Sequence, residues 1–163
     1  MMRNLLMMFA VALLLTACGF QLRAAATLPY ETLYVAAPKT SAFAIEFKRA
    51  LGVSSKTRVV DSAKDAQATL QLINETREKV ILSLSGGGRV REYQLRYRMA
   101  YRLLDKNNSE LRPPTQIALQ RDVSYNDADT LAKESEEALL YRDMQIDAVA
   151  QLMRQLQTTR PGA

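Results

Sequence analysis

The segment Val90–Leu104 alternates over most of its length. Its odd positions read Tyr93, Leu95, Tyr97, Met99, Tyr101 and Leu103, and its even positions Gln94, Arg96, Arg98, Ala100 and Arg102. Successive strand side chains point to opposite faces, so a period of two held this long demands a β-strand with one buried face and one solvated, cationic face. A sheet with a single apolar face needs cover on that side only, which argues for antiparallel neighbours and a layer of helices. Tyr93, Tyr97 and Tyr101 share the inner face and read as core rather than as a binding platform.

The flanking segments fit this picture. Gly86-Gly87-Gly88 is a hairpin turn between Val90–Leu104 and an earlier strand, Ala68–Leu84. In that earlier strand the even positions Leu70, Leu72, Val80, Leu82 and Leu84 are apolar, and the polar middle, Asn74–Lys79, reads as a bulge or bend. Thr32–Ala36 is β-branched and aromatic and reads as a strand, and Thr57–Val60 as a short one. Asp105–Pro114 reads as a loop, and Ile117, Leu119, Val123 and Tyr125 alternate again. Ser41 caps an expected helix over Ala42–Leu51, stopped by Gly52. A long second helix is expected over Thr130–Leu156, with Leu139, Ile146, Val149, Met153 and Leu156 as one stripe and Leu140, Met144, Ala148 and Leu152 beside it. The order β-α-β-β-β-α predicts an α+β two-layer sandwich: two helices packed on a mostly antiparallel four-stranded sheet. The predicted single domain covers residues 30–157, followed by a frayed tail, 158–163.

The amino-terminal end reads as an address. A charged start is followed by the apolar run Leu5–Leu15 and then Thr16-Ala17-Cys18. Eleven apolar residues make a helix of about 16 Å, far short of the roughly 30 Å of a bilayer core, so the run reads as a signal peptide and not as a membrane span. Leu15-Thr16-Ala17-Cys18 resembles a bacterial lipobox, and the chain's one Cys stands at the position such a box requires. That resemblance implies removal of residues 1–17, a diacylglycerol on the Cys18 thiol and an acyl chain on its amino group. Two or three chains make a lasting anchor, where one chain binds only marginally. By resemblance to bacterial lipoprotein sorting signals, in which Asp after the Cys retains the protein in the inner membrane, Gly19 implies the outer membrane. Removing 17 of 163 residues leaves 146, and the formal charge falls from +5 to +4 as Arg3 departs and the new amino group is acylated. Residues 18–29 form a tether; ten residues reach at most about 35 Å, so the domain stays near the membrane on its periplasmic side.

Composition narrows the chemistry. With no His and one Cys, imidazole bases, Ser-His-Asp and Cys-His systems, intrachain disulfides and His- or thiolate-liganded zinc are excluded. Glu136 and Glu137 are adjacent and point to different sides of a helix, so they form no acid–base pair. The chain reads as a non-enzyme with neither metal nor cofactor. The candidate functional feature is cationic: Arg96, Arg98 and Arg102 on the central strand, with Arg89 and Arg91 by the glycine turn. Guanidinium forks match phosphate and carboxylate, and at an outer membrane the abundant polyanion is lipopolysaccharide. The rival reading is a solvated sheet face. A nucleic-acid partner is disfavoured by export and lipidation.

Several segments resemble the LptE family of lipopolysaccharide-assembly lipoproteins, in order and over nearly the whole chain. They are Cys18-Gly19-Phe20-Gln21-Leu22-Arg23, Glu92-Tyr93-Gln94-Leu95 after the glycine turn, Arg121-Asp122-Val123-Ser124-Tyr125-Asn126, Leu131-Ala132-Lys133, and Gln151-Leu152-Met153-Arg154-Gln155-Leu156. The resemblance implies a non-catalytic plug in a 1:1 complex with the outer-membrane β-barrel LptD, a pair that delivers lipopolysaccharide to the outer leaflet. It also implies that Lys133, in the family's basic position at the start of the last helix, contacts a lipopolysaccharide phosphate. The family can carry a basic residue just before its glycine turn; here Ser85 precedes the glycines, and the charge is displaced to Arg89 and Arg91. Arg121, near the same tip, is a further candidate. The alternative is a lipid-carrying lipoprotein of a phospholipid transport system, which needs an apolar cavity. A carboxylate-based envelope hydrolase is disfavoured, because no acid pair has the required spacing.

Overall fold

A computed structural model describes residues 28–126 and 130–159. The signal peptide, Cys18, most of the tether and residues 160–163 lie outside them. The elements run β1 (Thr32–Ala36), α1 (Ala42–Ser54), β2 (Arg58–Val60), a 3-10 turn (Ala63–Asp65), β3 (Ala68–Leu84), β4 (Val90–Asp105), β5 (Glu110–Ser124) and α2 (Thr130–Gln157). Both helices pack on one face of a five-stranded sheet of order β2-β1-β3-β4-β5.

The sheet is mixed, which corrects the four-stranded, mostly antiparallel expectation. α1 carries the chain back along β1, so β2 pairs with β1 in parallel; a helical crossover forces that direction. β3 then pairs in parallel with the other side of β1. Two hairpins complete an antiparallel β3-β4-β5 meander. β2 falls within the short strand read over Thr57–Val60, which the four-strand count had left out of the sheet.

Both hairpins turn in the same way. At the first, Ser85 N donates to Arg89 O, and Gly88 takes a φ of 76°. At the second, Asp105 N donates to Ser109 O, Asn108 takes a φ of 63°, and Asp105 Oδ1 accepts from Asn107 N and Ser109 N. A left-handed residue closing a short loop suits Gly or Asn, the residues present. The second loop is therefore shorter than the expected Asp105–Pro114. Pro113 and Pro114 belong to β5, an edge strand, beside a register shift between Tyr101 and Leu103; an edge or bulge is where a residue without an N–H is tolerated.

β3 departs from its sequence reading for a specific reason. Leu70 faces Leu103 and Leu72 faces Tyr101, on the helix side. A bulge between Leu72 and Asn74 adds one residue, so the odd positions Glu75, Arg77, Lys79 and Ile81 face the helices thereafter. Val80, expected to be buried with Leu82 and Leu84, pairs with Gln94 on the open face; Leu82 and Leu84 are exposed.

The core holds Leu33, Val35, Phe43, Phe47, Leu51, Leu70, Leu95, Tyr97, Met99, Tyr101, Leu103, Ile117, Met144 and Leu152. Each such large apolar side chain contributes about 1.5–3 kcal/mol on full burial. Leu28 joins the core, so packing begins within the segment expected to be tether. Ser41 caps α1, its hydroxyl accepting from Ala44 N at 3.1 Å. The helix runs past Gly52 to Ser54, and Ser54 and Ser55 bond back to the carbonyls of Ala50 and Leu51. In α2 the buried face is Tyr141, Met144, Gln145, Ala148, Val149, Leu152, Met153 and Leu156. Leu139 and Ile146, expected in the stripe, lie on its shoulder and are exposed. At the far end Arg112 donates to Thr159 Oγ1 and Gln155 O, so Thr159 is buried where a frayed tail was expected.

Candidate functional site

The two ends of the sandwich differ. One end carries the start of β1, the Asp105–Ser109 turn and the end of α2, because Leu33 pairs with Ala68 and Ala68 with Asp105. The other end carries the glycine turn, the end of β5 and the start of α2. The 17 residues of β3 separate them by about 55 Å.

Three of the sequence candidates meet at the glycine end. Arg89 and Arg91 flank the turn and are exposed. Tyr125 N donates to Arg91 O at 2.7 Å, which ties the end of β5 to this strand. Lys133 Nζ reaches Ser124 Oγ at 3.2 Å and Glu136 Oε2 at 2.8 Å, so it stands beside the same strand end. Arg121 is set back: its guanidinium holds Asp147 Oδ2 at 2.8 Å, on the middle of α2.

The tip also contains residues that the sequence reading left out. Lys79 Nζ donates to Glu137 Oε2 at 2.6 Å, and it lies 4.3 Å from the Tyr93 ring centroid and 5.9 Å from that of Tyr125. The two rings meet edge to face at 5.1 Å. The hydrogen bond to Glu137 holds the Lys79 ammonium above its ordinary pKa, against the opposing effect of burial. Read with even positions inward, β3 turns Lys79 away from α2; only the bulge brings it to Glu137. The aromatic half of the cluster was visible in the alternation of β4 and β5.

The cationic row on the open sheet face is largely neutralised. Arg98 forks onto Glu78 at 3.0 and 3.1 Å. Arg102 donates to Gln71 Oε1 at 2.7 Å and lies 3.7 Å from Glu110. Arg96 donates to Gln94 Oε1 at 2.8 Å, and Gln94 in turn donates to Asp122. Arg98–Glu78 and Gln94–Asp122 are cross-strand braces of a solvated face, so this row offers little free charge to an anion.

Inside the sandwich, Glu75 is engaged on both oxygens. It accepts from Tyr97 Oη at 2.8 Å and from Ser41 Oγ at 2.7 Å. Burial, and then the bond to Glu75, push the Tyr97 phenol well above its ordinary pKa. The network joins β4, β3 and the cap of α1 and positions no reacting group. Among the described residues no cluster of His, Cys, Asp or Glu is placed to hold a metal, and no helix is long and apolar enough to cross a membrane.

A family model described as "LptE: Lipopolysaccharide-assembly" matches residues 30–156. The chain belongs to the LptE family. The LPS-assembly lipoprotein LptE of Yersinia pestis (strain Pestoides F) is 29% identical over 160 residues, 96% of this chain and 76% of that protein. Among solved structures, an uncharacterized lipoprotein B from Nitrosomonas europaea matches with a TM-score of 0.76 and 44% identity, over 85% of this chain and 90% of that one. The rare lipoprotein B from Shewanella oneidensis matches at 0.69 and 26%, over 78% and 95%. LptE proteins are non-enzymatic lipoproteins of lipopolysaccharide assembly, so the chain serves lipopolysaccharide transport without catalysis.

Proposed function

We propose that the chain is an outer-membrane lipoprotein, anchored through acyl chains on Cys18, that plugs and supports the LptD β-barrel in a 1:1 complex. In this reading the glycine end meets lipopolysaccharide on its way to the outer leaflet. Membership of the LptE family carries the proposal. The gathering of Arg89, Arg91 and Lys133 at one end supports the anion contact, with Arg121 behind them engaged by Asp147. Phosphates of the lipid would compete with Glu136 for the Lys133 ammonium and with water for the two arginines. The centre of the sandwich is filled by Tyr97, Tyr101, Phe43 and Phe47, which favours a plug over a lipid carrier.

The test has two parts. Full-length tagged protein, isolated in mild detergent, is expected to bring down a large outer-membrane β-barrel in equal amount. The triple variant Arg89→Ser, Arg91→Ser, Lys133→Ser is expected to keep the barrel and bind lipopolysaccharide about tenfold more weakly, since each exposed contact contributes well under 1.4 kcal/mol. Recovery of inner-membrane transporter subunits would refute the plug, and unchanged lipopolysaccharide affinity in the triple variant would refute the tip.

A further inference from the structure

The face that α2 turns to the sheet changes character along its length. From Tyr141 onwards it is apolar, with Tyr141, Met144, Ala148 and Leu152 buried. Between Leu131 and Leu139 every residue is exposed except Lys133 and Glu137, which are partly buried. These two lie four apart, and Glu137 lies four ahead of Tyr141, so all three share one side of the helix. That side begins with a cation and an anion where its continuation carries hydrocarbon. α1 does not cover this stretch. Its first residue, Ala42, accepts from Gln145 Nε2 at 2.9 Å, halfway along α2, and the helix runs from there to the other end.

Two side-chain bonds tie the stretch to the sheet. Lys79 Nζ on β3 donates to Glu137 Oε2 at 2.6 Å, and Lys133 Nζ donates to Ser124 Oγ on β5 at 3.2 Å. The Lys79 and Glu137 side chains keep 34 and 25% exposure, so water and dissolved ions reach the pair. A pair of this kind shifts an equilibrium by up to about fivefold, far less than a buried apolar face does. While it holds, the Lys79 ammonium has Glu137 as its counter-ion and rests against the Tyr93 and Tyr125 rings. A phosphate brings up to about two negative charges and three acceptor oxygens, and so competes well with one carboxylate for that ammonium.

We infer that the first turns of α2 are a gate over Lys79, opened when a lipopolysaccharide phosphate displaces Glu137. The phosphate contact at Lys133 removes the tie to Ser124, and displacement of Glu137 removes the tie to β3. Residues 131–139 then lift from the sheet, and Lys79 joins Arg89 and Arg91 as a cation of the tip. Tyr141 marks where the helix stays docked, for it is buried and donates to Glu78 O at 2.7 Å. The inference rests on the anion-contact reading for its ligand. Its own signature is a coupling of Glu137 to binding.

Full-length protein in mild detergent is titrated with lipid A and followed by hydrogen exchange and mass spectrometry. Without ligand, Glu137→Gln is expected to speed exchange over residues 131–140 about fivefold and to leave residues 144–156 unchanged. The same variant is expected to bind lipid A about fivefold more tightly, the equivalent of about 1 kcal/mol. Adding Lys79→Gln to it is expected to cancel that gain. Glu134→Gln removes an equal charge from an exposed position on the same turns and is expected to change neither quantity. Lipid A added to the unaltered chain is expected to speed exchange over residues 131–140. Slower exchange there would place the ligand on a closed helix and overturn the gate. Affinity unmoved by Glu137→Gln, or moved equally by Glu134→Gln, would overturn it as well, and each of these results leaves the tip reading standing. Unchanged affinity in the triple tip variant refutes that reading instead, and lipid A that binds no form of the chain refutes both.

Discussion

Replacing Glu75 by Ala tests whether the Tyr97–Glu75–Ser41 network is a structural unit. Tyr97 is fully buried, and its hydroxyl donates to Glu75 at 2.8 Å. Removing the carboxylate strands that hydroxyl and also takes the 2.7 Å bond from Ser41, although Ser41 keeps its capping bond to Ala44. A buried polar group left without its partner costs about 1–3 kcal/mol, so Glu75→Ala is expected to lose about 2 kcal/mol. Tyr97→Phe deletes a bond to a charged acceptor and is expected to lose about 1.5 kcal/mol. In the double variant the stranded hydroxyl no longer exists, so the loss should stay near 2 kcal/mol, a coupling of about 1.5 kcal/mol. Urea unfolding of the full chain, followed by far-ultraviolet circular dichroism, measures all three. Losses that add to within about 0.5 kcal/mol would refute the network. The same phenol predicts a pH response. Its folded pKa lies above its unfolded one, so its contribution is intact below about pH 10 and falls as pH rises beyond it, by about 1.4 kcal/mol per unit. Tyr97→Phe should flatten that alkaline slope by the same amount.

Leu103→Ala, at a fully buried position facing Leu70, is expected to cost about 2–5 kcal/mol in the same urea assay. Gly88→Ala places a β-carbon at a φ of 76°, where nothing crowds it but the backbone itself is unfavourable, and should cost about 1–2 kcal/mol. Arg98→Ala removes an exposed pair with Glu78 and should cost under about 1 kcal/mol, less still at high salt; a larger loss would show that the open face does more than meet solvent.

The parts of the fold that were legible were those in which one residue's environment follows from its neighbours in sequence. β4 keeps its period over its length, so its buried and open faces could be assigned residue by residue. The cap at Ser41 was legible because a hydroxyl ahead of an apolar period has a local use. The place of β2 in the sheet and its parallel pairing were not, because a segment of three residues says nothing of its neighbours and its direction depends on a crossover elsewhere. Leu139 and Ile146 misled, because a helical stripe says which residues share a side and not how far the neighbouring helix extends. At the tip, Arg89, Arg91 and Lys133 were nameable as charges. Lys79, with its Tyr93–Tyr125–Glu137 surroundings, became visible only once the bulge in β3 was known.

That bulge makes the strand a reading frame. Upstream of Ile73 even positions face the helices, and downstream odd positions do. A lineage that lost Ile73 would close the bulge: Asn74 would follow Leu72 opposite Ala100, and Glu75, Arg77 and Lys79 would keep their places on the helix side. A residue gained further along, between Glu75 and Thr76, has no such slack; it would turn Thr76, Glu78 and Val80 inward and expel Arg77 and Lys79 up to the next bulge, at Leu82. The strand therefore absorbs a single loss at the bulge, whereas a single gain beyond it must be matched by a second change that restores the phase.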